Sequence, residues 1–113
     1  MSAYSKIDEV EPALLFGTTG ELGWGFTLWS NLLDDEAPHR KLLERFAQSR
    51  SDLVLTLPKW DRYEDFVEGS LKSAKYDVHI YYETILSYLA LWSQDLEGII
   101  TLRQDLLSVA LSA

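Results

Sequence analysis

Residues 76–83 place the strongest constraint on the fold. Tyr76, Val78, Ile80 and Tyr82 alternate there with Asp77, His79, Tyr81 and Glu83. Successive side chains of an extended chain point to opposite faces, so this two-residue period predicts a strand with one apolar and one polar face. A second alternation sets Leu22, Trp24, Phe26 and Leu28 against Gly23, Gly25, Thr27 and Trp29. The preceding Gly17, Thr18, Thr19 and Gly20 suit a turn that would pair this strand with residues 13–16 as a hairpin. Glycines on its second face leave room for another backbone or a covering helix to lie close. The β-branched and aliphatic run at residues 53–57 ends at Pro58, which suits a third strand stopping there.

Helical periodicity fills two other stretches. Asp35 is placed to cap a helix whose first turn tolerates Pro38. Leu42, Leu43, Phe46 and Ala47 then form its apolar stripe, with Arg40, Lys41, Glu44 and Arg45 outward. His39, in the first turn and without a ligand-spaced companion, is expected in solvent. Near the C-terminus Asp95 and Glu97 suit the first turn of a helix. Leu96, Ile99, Ile100, Leu106, Leu107 and Ala110 recur behind them at helical spacing. Two segments fit either period. Trp60, Tyr63, Phe66 and Val67 read as a short helix closed by Gly69, or as a loop to about Glu64 followed by a strand that turns at Ala74 and Lys75. Ile85, Leu86, Leu89 and Trp92 fit a helix, whereas Leu86, Tyr88, Ala90 and Trp92 fit a strand. The loop followed by a strand is preferred in the first, and the strand in the second because one helix over residues 84–111 would be unusually long for so small a domain. The expected fold is α+β, an antiparallel sheet with two helices in the order ββαββββα. Trp24, Phe26, Val78, Ile80, Leu96 and Ile100 are expected in its core.

At 113 residues, 47% hydrophobic and 25% charged, the chain fits a single globular domain spanning 1–113. The absence of cysteine removes disulfides, thiolate metal sites and cysteine nucleophiles together, and suits a reducing compartment. The opening residues are followed by the acidic Asp8, Glu9 and Glu11 rather than by a basic and then apolar leader, so a cytoplasmic protein of bacterial type is expected. No apolar run approaches the ~20 residues that a membrane helix requires. Charge is unevenly spread. Residues 1–36 hold seven acids and one base, residues 37–59 five bases and two acids, and residues 60–113 nine acids and four bases, for a net of −8. Such a chain repels phosphate backbones at long range and attracts cationic surfaces, which argues for a basic protein partner and against nucleic acid.

Signs of catalysis are sparse. Gly17, Gly20, Gly23 and Gly25 match neither the spacing of a dinucleotide fingerprint nor that of a P-loop, and no Lys or Arg lies between Lys6 and Arg40. Asp77, His79, Tyr81 and Glu83 share one strand face, with Asp77 and His79 about 7 Å apart at Cα. A carboxylate and an imidazole at that spacing could meet a common substrate or metal, but the pair lacks a third ligand or a nucleophile. The solvent face of an antiparallel sheet produces the same pattern. No serine stands in a nucleophile-elbow context. No cofactor, metal or catalytic set is therefore expected.

Recognition is the better account of two other clusters. Trp60, Asp61, Tyr63, Glu64 and Asp65 combine rings with carboxylates, and Asp34, Asp35 and Glu36 form an acidic run. Aromatic residues dominate interface hot spots, and rim carboxylates steer a cationic partner into place. In size, in acidity and in the aromatic character of residues 60–68 and 76–92, the chain resembles the immunity proteins that neutralise toxins in bacterial competition. The resemblance implies stoichiometric binding of one cognate toxin domain, often a cationic nuclease. Asp34, Asp35, Glu36, Asp61, Glu64 and Asp65 would then meet its Lys and Arg, with Trp60 and Tyr63 as anchors. Two alternatives stand beside it: a dimeric secretion chaperone or adaptor that uses the Gly23 and Gly25 face or the basic helix at residues 40–50 as its subunit contact, and a small enzyme built on the face of Asp77, His79, Tyr81 and Glu83. The oligomeric state is left open.

Overall fold

A computed structural model describes residues 4–14, 22–30, 37–59, 66–83 and 88–110. These residues form β1 (Tyr4–Ile7), β2 (Glu11–Leu14), β3 (Leu22–Ser30), α1 (Ala37–Gln48), β4 (Val54–Thr56), β5 (Phe66–Lys72), β6 (Asp77–Glu83), β7 (Tyr88–Ser93) and α2 (Leu96–Ala110). The fold is α+β, and each strand pairs antiparallel with its neighbours in one sheet of order β1-β3-β7-β6-β5-β4. Strand β2 lies beside β3 on the same side as β1. The order is thus βββαββββα. The added strand is β1, whose four residues are too few for alternation to mark and whose register is broken between Tyr4 and Lys6.

The expected hairpin joins β2 to β3, with Leu14 opposite Leu22; the turn assigned to residues 17–20 lies outside the described residues. The described parts of both ambiguous segments are strands, β5 from Phe66 and β7 from Tyr88, while residues 60–65 and 84–87, and Asp35, the proposed cap of α1, fall outside the described residues. Strands β4 to β7 make a meander. Ser73 closes its β5–β6 turn through a backbone bond from its N–H to the Tyr76 carbonyl at 2.9 Å, and its hydroxyl accepts from Lys75 N at 3.0 Å.

Register sorts the side chains onto two faces. Phe26 and Leu28 of β3, Leu89 and Leu91 of β7, Val78, Ile80 and Tyr82 of β6, and Val67 and Leu71 of β5 all point to the helix side and are buried. There they meet Leu42, Leu43 and Phe46 of α1 and Ile99, Leu102 and Leu106 of α2. At ~25 cal/mol for each Å² of apolar surface removed from water, this cluster is the main source of stability. Arginines tie its rim. Arg45 Nη2 donates to the Val109 carbonyl at 2.6 Å, and Arg103 Nε donates to the Asp8 carbonyl at 3.0 Å, which holds the break between β1 and β2 against α2. No helix of the described residues is long and apolar enough to cross a membrane.

Three core expectations need correction. His39 is not in solvent: it is fully buried, with its ring 5.6 Å from that of Tyr82. It precedes Leu42, Leu43 and Phe46 by three, four and seven positions and so extends their inward stripe. Leu96 and Ile100 are 38% and 42% exposed, while Ile99, Leu102 and Leu106 carry the contact instead. Trp24 packs against the core but is only partly buried. Truncating Leu102 to Ala should cost about 2–5 kcal/mol, as buried leucines do. Ile100→Ala should cost about 0.5 kcal/mol, the scale of a surface change. Urea midpoints of the two variants decide the phase of α2, and equal losses would place Ile100 in the core.

Candidate functional site

Both helices pack on one side of the sheet, and the residues that alternate with the core occupy the other. Antiparallel pairing sets them in rows across the strands. In the first row Lys6 lies opposite Trp29, Trp29 opposite Tyr88, Tyr88 opposite Glu83 and Glu83 opposite Phe66. Thr27, Ala90, Tyr81 and Glu68 form the second. The third runs from Glu11 through Gly25, Trp92, His79 and Ser70 to Thr56.

Trp92 shows what the glycines of β3 are for. Its indole is 3% exposed although it projects away from the helices, because it lies over β3 toward β2 and donates from Nε1 to the Ala13 carbonyl at 2.8 Å. A Cβ on Gly23 would come within 2.6 Å of Trp92 Cζ2 and 2.5 Å of the Ser93 carbonyl oxygen; on Gly25 it would come within 2.8 Å of the Leu91 carbonyl oxygen. Close approach to β3 is therefore made by the β7 backbone at both glycines, one of the two expected neighbours, and at Gly23 by the Trp92 ring as well. Beyond Trp92, Gly25, Thr27 and Ala90 floor a cleft of about 130 Å³ with Glu11 at its margin.

The taller side chains form an aromatic strip. Ring centroids are 5.2 Å apart for Trp29 and Tyr88, 6.0 Å for Tyr88 and Tyr81, and 5.7 Å for Tyr81 and Phe66, the last pair near parallel at 20°. Such offset and tilted contacts suit the quadrupoles of the rings. Trp29, Tyr81 and Tyr88 are half-buried, whereas Phe66 is 54% exposed. Carboxylates are set among them. Tyr88 Oη donates to Glu83 Oε2 at 3.1 Å, and Trp29 Nε1 donates to Asp8 Oδ2 at 3.1 Å. With Asp8, Glu11, Glu68, Asp77 and Glu83 against Lys6 and Lys72, this face is acidic.

Asp77, His79, Tyr81 and Glu83 do share the uncovered face, as their alternation predicts. His79 stands edge-on to Trp92 at 5.5 Å and opens with Asp77 and Asp95 onto a cleft of about 200 Å³. Asp95, however, belongs to the start of α2: its carbonyl accepts from Ile99 N at 3.0 Å. His79 and Glu83, four residues apart on an extended strand, are separated by about 13 Å at Cα and cannot act on one atom. Among the described residues no group of three His, Cys, Asp or Glu is placed to hold a metal ion. The arrangement offers stacking, cation–π contact and carboxylate acceptors, which are the means of recognition.

Asp34, Asp35, Glu36, Trp60, Asp61, Tyr63, Glu64 and Asp65, the residues expected to bind a partner, lie outside the described residues. By chain connection Asp65 leads directly into Phe66 at the end of the strip. Trp29 joins the site only through pairing between strands distant in sequence, β3 and β7, whereas Phe66 and Tyr88 join it from the strands before and after β6. The shared period of Tyr88, Ala90 and Trp92 was the signal available for Tyr88. Compared with known protein families, curated proteins and solved structures, the chain matches none.

Burial, followed by the hydrogen bond to Glu83 and nearby negative charge, holds the Tyr88 phenol well above its ordinary value near 10. The folded state then keeps a proton that the unfolded chain releases. This contribution to stability is complete below about pH 10 and is lost as pH rises beyond it. Urea unfolding at about pH 9 and about pH 11 should therefore show a smaller loss for Tyr88→Phe than for the parent chain. Ultraviolet titration of Glu83→Gln should show one tyrosine ionising earlier. Identical pH slopes in Tyr88→Phe and parent would contradict the assignment.

Proposed function

We propose that this protein acts by stoichiometric binding of a basic protein domain, as an immunity protein that neutralises a cationic toxin. The uncovered sheet face is its docking surface. The observation that carries the reading is the acidic aromatic strip, in which Trp29, Tyr88, Tyr81 and Phe66 stand among Asp8, Glu83 and Glu68. Rings of this kind supply contact area at small entropic cost, and carboxylates beside them select a cationic counterpart. A nuclease surface built to hold phosphate is rich in Lys and Arg, and an acidic face covers it with complementary charge. On the helix side, α1 is basic, with Arg40, Lys41 and Arg45 against Glu44. A molecule polarised in this way approaches a basic target sheet-first. The chain segment at residues 60–65, with its Trp, Tyr and acids, would extend the contact beyond Phe66.

The test is co-expression with the basic protein encoded beside this chain. Protection of the cells and co-elution of a one-to-one complex at about micromolar concentration are expected. Phe66→Ala or Tyr81→Ala should speed dissociation, weakening the complex about tenfold or more, as loss of a hot spot of ~2 kcal/mol would. Glu68→Lys should mainly slow association and flatten its salt dependence. Cells that die equally with and without the protein, or a pair that elutes separately, would defeat the proposal.

A further inference from the structure

We infer that Glu83 and the rings around it form a receptor for a guanidinium group, which an arginine side chain of the basic partner fills. This rests on the docking face proposed above and names the chemistry of its anchor point. Register puts Tyr88 on one side of Glu83 and Phe66 on the other, and Tyr81 precedes it by two on the same strand face. The carboxylate is half-buried, and Tyr88 Oη fixes its Oε2 at 3.1 Å. Other withdrawn carboxylates have a base of their own: Lys6 Nζ lies 3.4 Å from Asp8 and Arg50 Nη2 3.4 Å from Asp105. Glu83 has none among the described residues. A fixed carboxylate, without a counter-charge among the described residues and flanked by three rings, is an electronegative site suited to a cation.

Its shape favours arginine over lysine. Guanidinium is planar and weakly hydrated, so one face can lie on an aromatic ring while its edge donates to a carboxylate. Phe66 and Tyr81 present near-parallel rings beside Glu83, with Phe66 the more exposed. An ammonium ion would satisfy the charge, but it is more strongly hydrated and has no flat face to stack. A stacking ligand without charge would leave the carboxylate unanswered.

The probe is a blocked Gly-Arg-Gly tripeptide titrated into the full, isotopically labelled chain, alongside versions with lysine and with citrulline, arginine's neutral near-isostere. NMR shifts should centre on Phe66, Tyr81, Glu83 and Tyr88, with affinity falling from arginine to lysine to citrulline. Glu83→Gln keeps an acceptor for Tyr88 Oη and should preserve the fold, checked by its thermal midpoint, yet weaken the arginine peptide about tenfold. Tyr81→Leu should weaken it by about threefold. Citrulline binding as tightly as arginine, shifts centred on Asp77 and Asp95 instead, or indifference to Glu83→Gln would each overturn the receptor. Failure here, with the basic protein still bound through the sheet face, removes the receptor alone. The expected peptide results without any co-eluting basic protein would remove the partner reading and leave the receptor.

Discussion

Both helices cover the same face of the sheet, so every strand must divide its residues between a dry side and a side that faces water. Strand β6 shows the division most cleanly: Val78, Ile80 and Tyr82 are buried while Asp77 and His79 are exposed. Its neighbours inherit the division through hydrogen-bonded register, because a slip of one residue would turn Leu89 and Leu91 outward and bring Tyr88 and Ala90 into the core. The open face would still leave β3 and β7 thinly packed were it not for Trp92. That indole lies over the glycines of β3 and reaches the β2 backbone, so the outer side acquires a small buried cluster of its own. Phe66, Tyr81, Tyr88 and Trp29 are then free to form a surface instead of being needed as filling.

Local periodicity made most of this architecture legible. Strands β3, β5, β6 and β7 and both helices lie where the alternation and the 3.6-residue pattern put them, since those patterns depend on neighbours within one element. What failed depends on something else. Helix α2 has apolar residues around much of its circumference, including Leu96, Ile99, Ile100, Leu102, Leu106 and Leu107. Its period therefore identifies a helix without fixing which side docks. His39 is expected in solvent from its place in the first turn without a ligand-spaced companion, yet it continues the Leu42, Leu43 and Phe46 stripe, which points inward. The aromatic strip is a product of register between strands as far apart in sequence as β3 and β7. Sequence spacing put Asp77, His79, Tyr81 and Glu83 on one face, and the turn at Ala74 and Lys75 sets Phe66 opposite Glu83, but nothing local adds Trp29.

Electrostatics and packing are joined at the rim. Arg103 bonds to the Asp8 backbone, lies 6.0 Å from the Phe26 ring centroid and comes within 3.4 Å of Glu9 Oε1, so one side chain links α2, β3 and the bend between β1 and β2. Exposed ion pairs such as Lys6 with Asp8 add little by themselves, about 0–1 kcal/mol. Their greater effect is on direction. Among the described residues the sheet face carries Asp8, Glu11, Glu68, Asp77 and Glu83 against Lys6 and Lys72, whereas α1 carries Arg40, Lys41 and Arg45 against Glu44.

An exposed aromatic sheet invites association with other sheets, and the mode of recognition depends on how that is avoided. Among the described strands, one edge is β4, only three residues long and followed closely by Pro58, which has no N–H to offer. At the other edge β1 and β2 are short and separated by Asp8, Glu9 and Val10, and β1 is irregular in register. Neither edge presents a long, flat ladder for an incoming strand. Lys6, Glu68, Lys72, Asp77 and Glu83 also interrupt the rings with charge, so the described residues of this face leave no unbroken apolar patch for a second sheet. Strand addition is disfavoured on these grounds, and binding is left to side chains of the face. For the basic partner proposed above, protruding groups that stack and carry positive charge would suit this face, and arginine combines the two better than any other natural side chain.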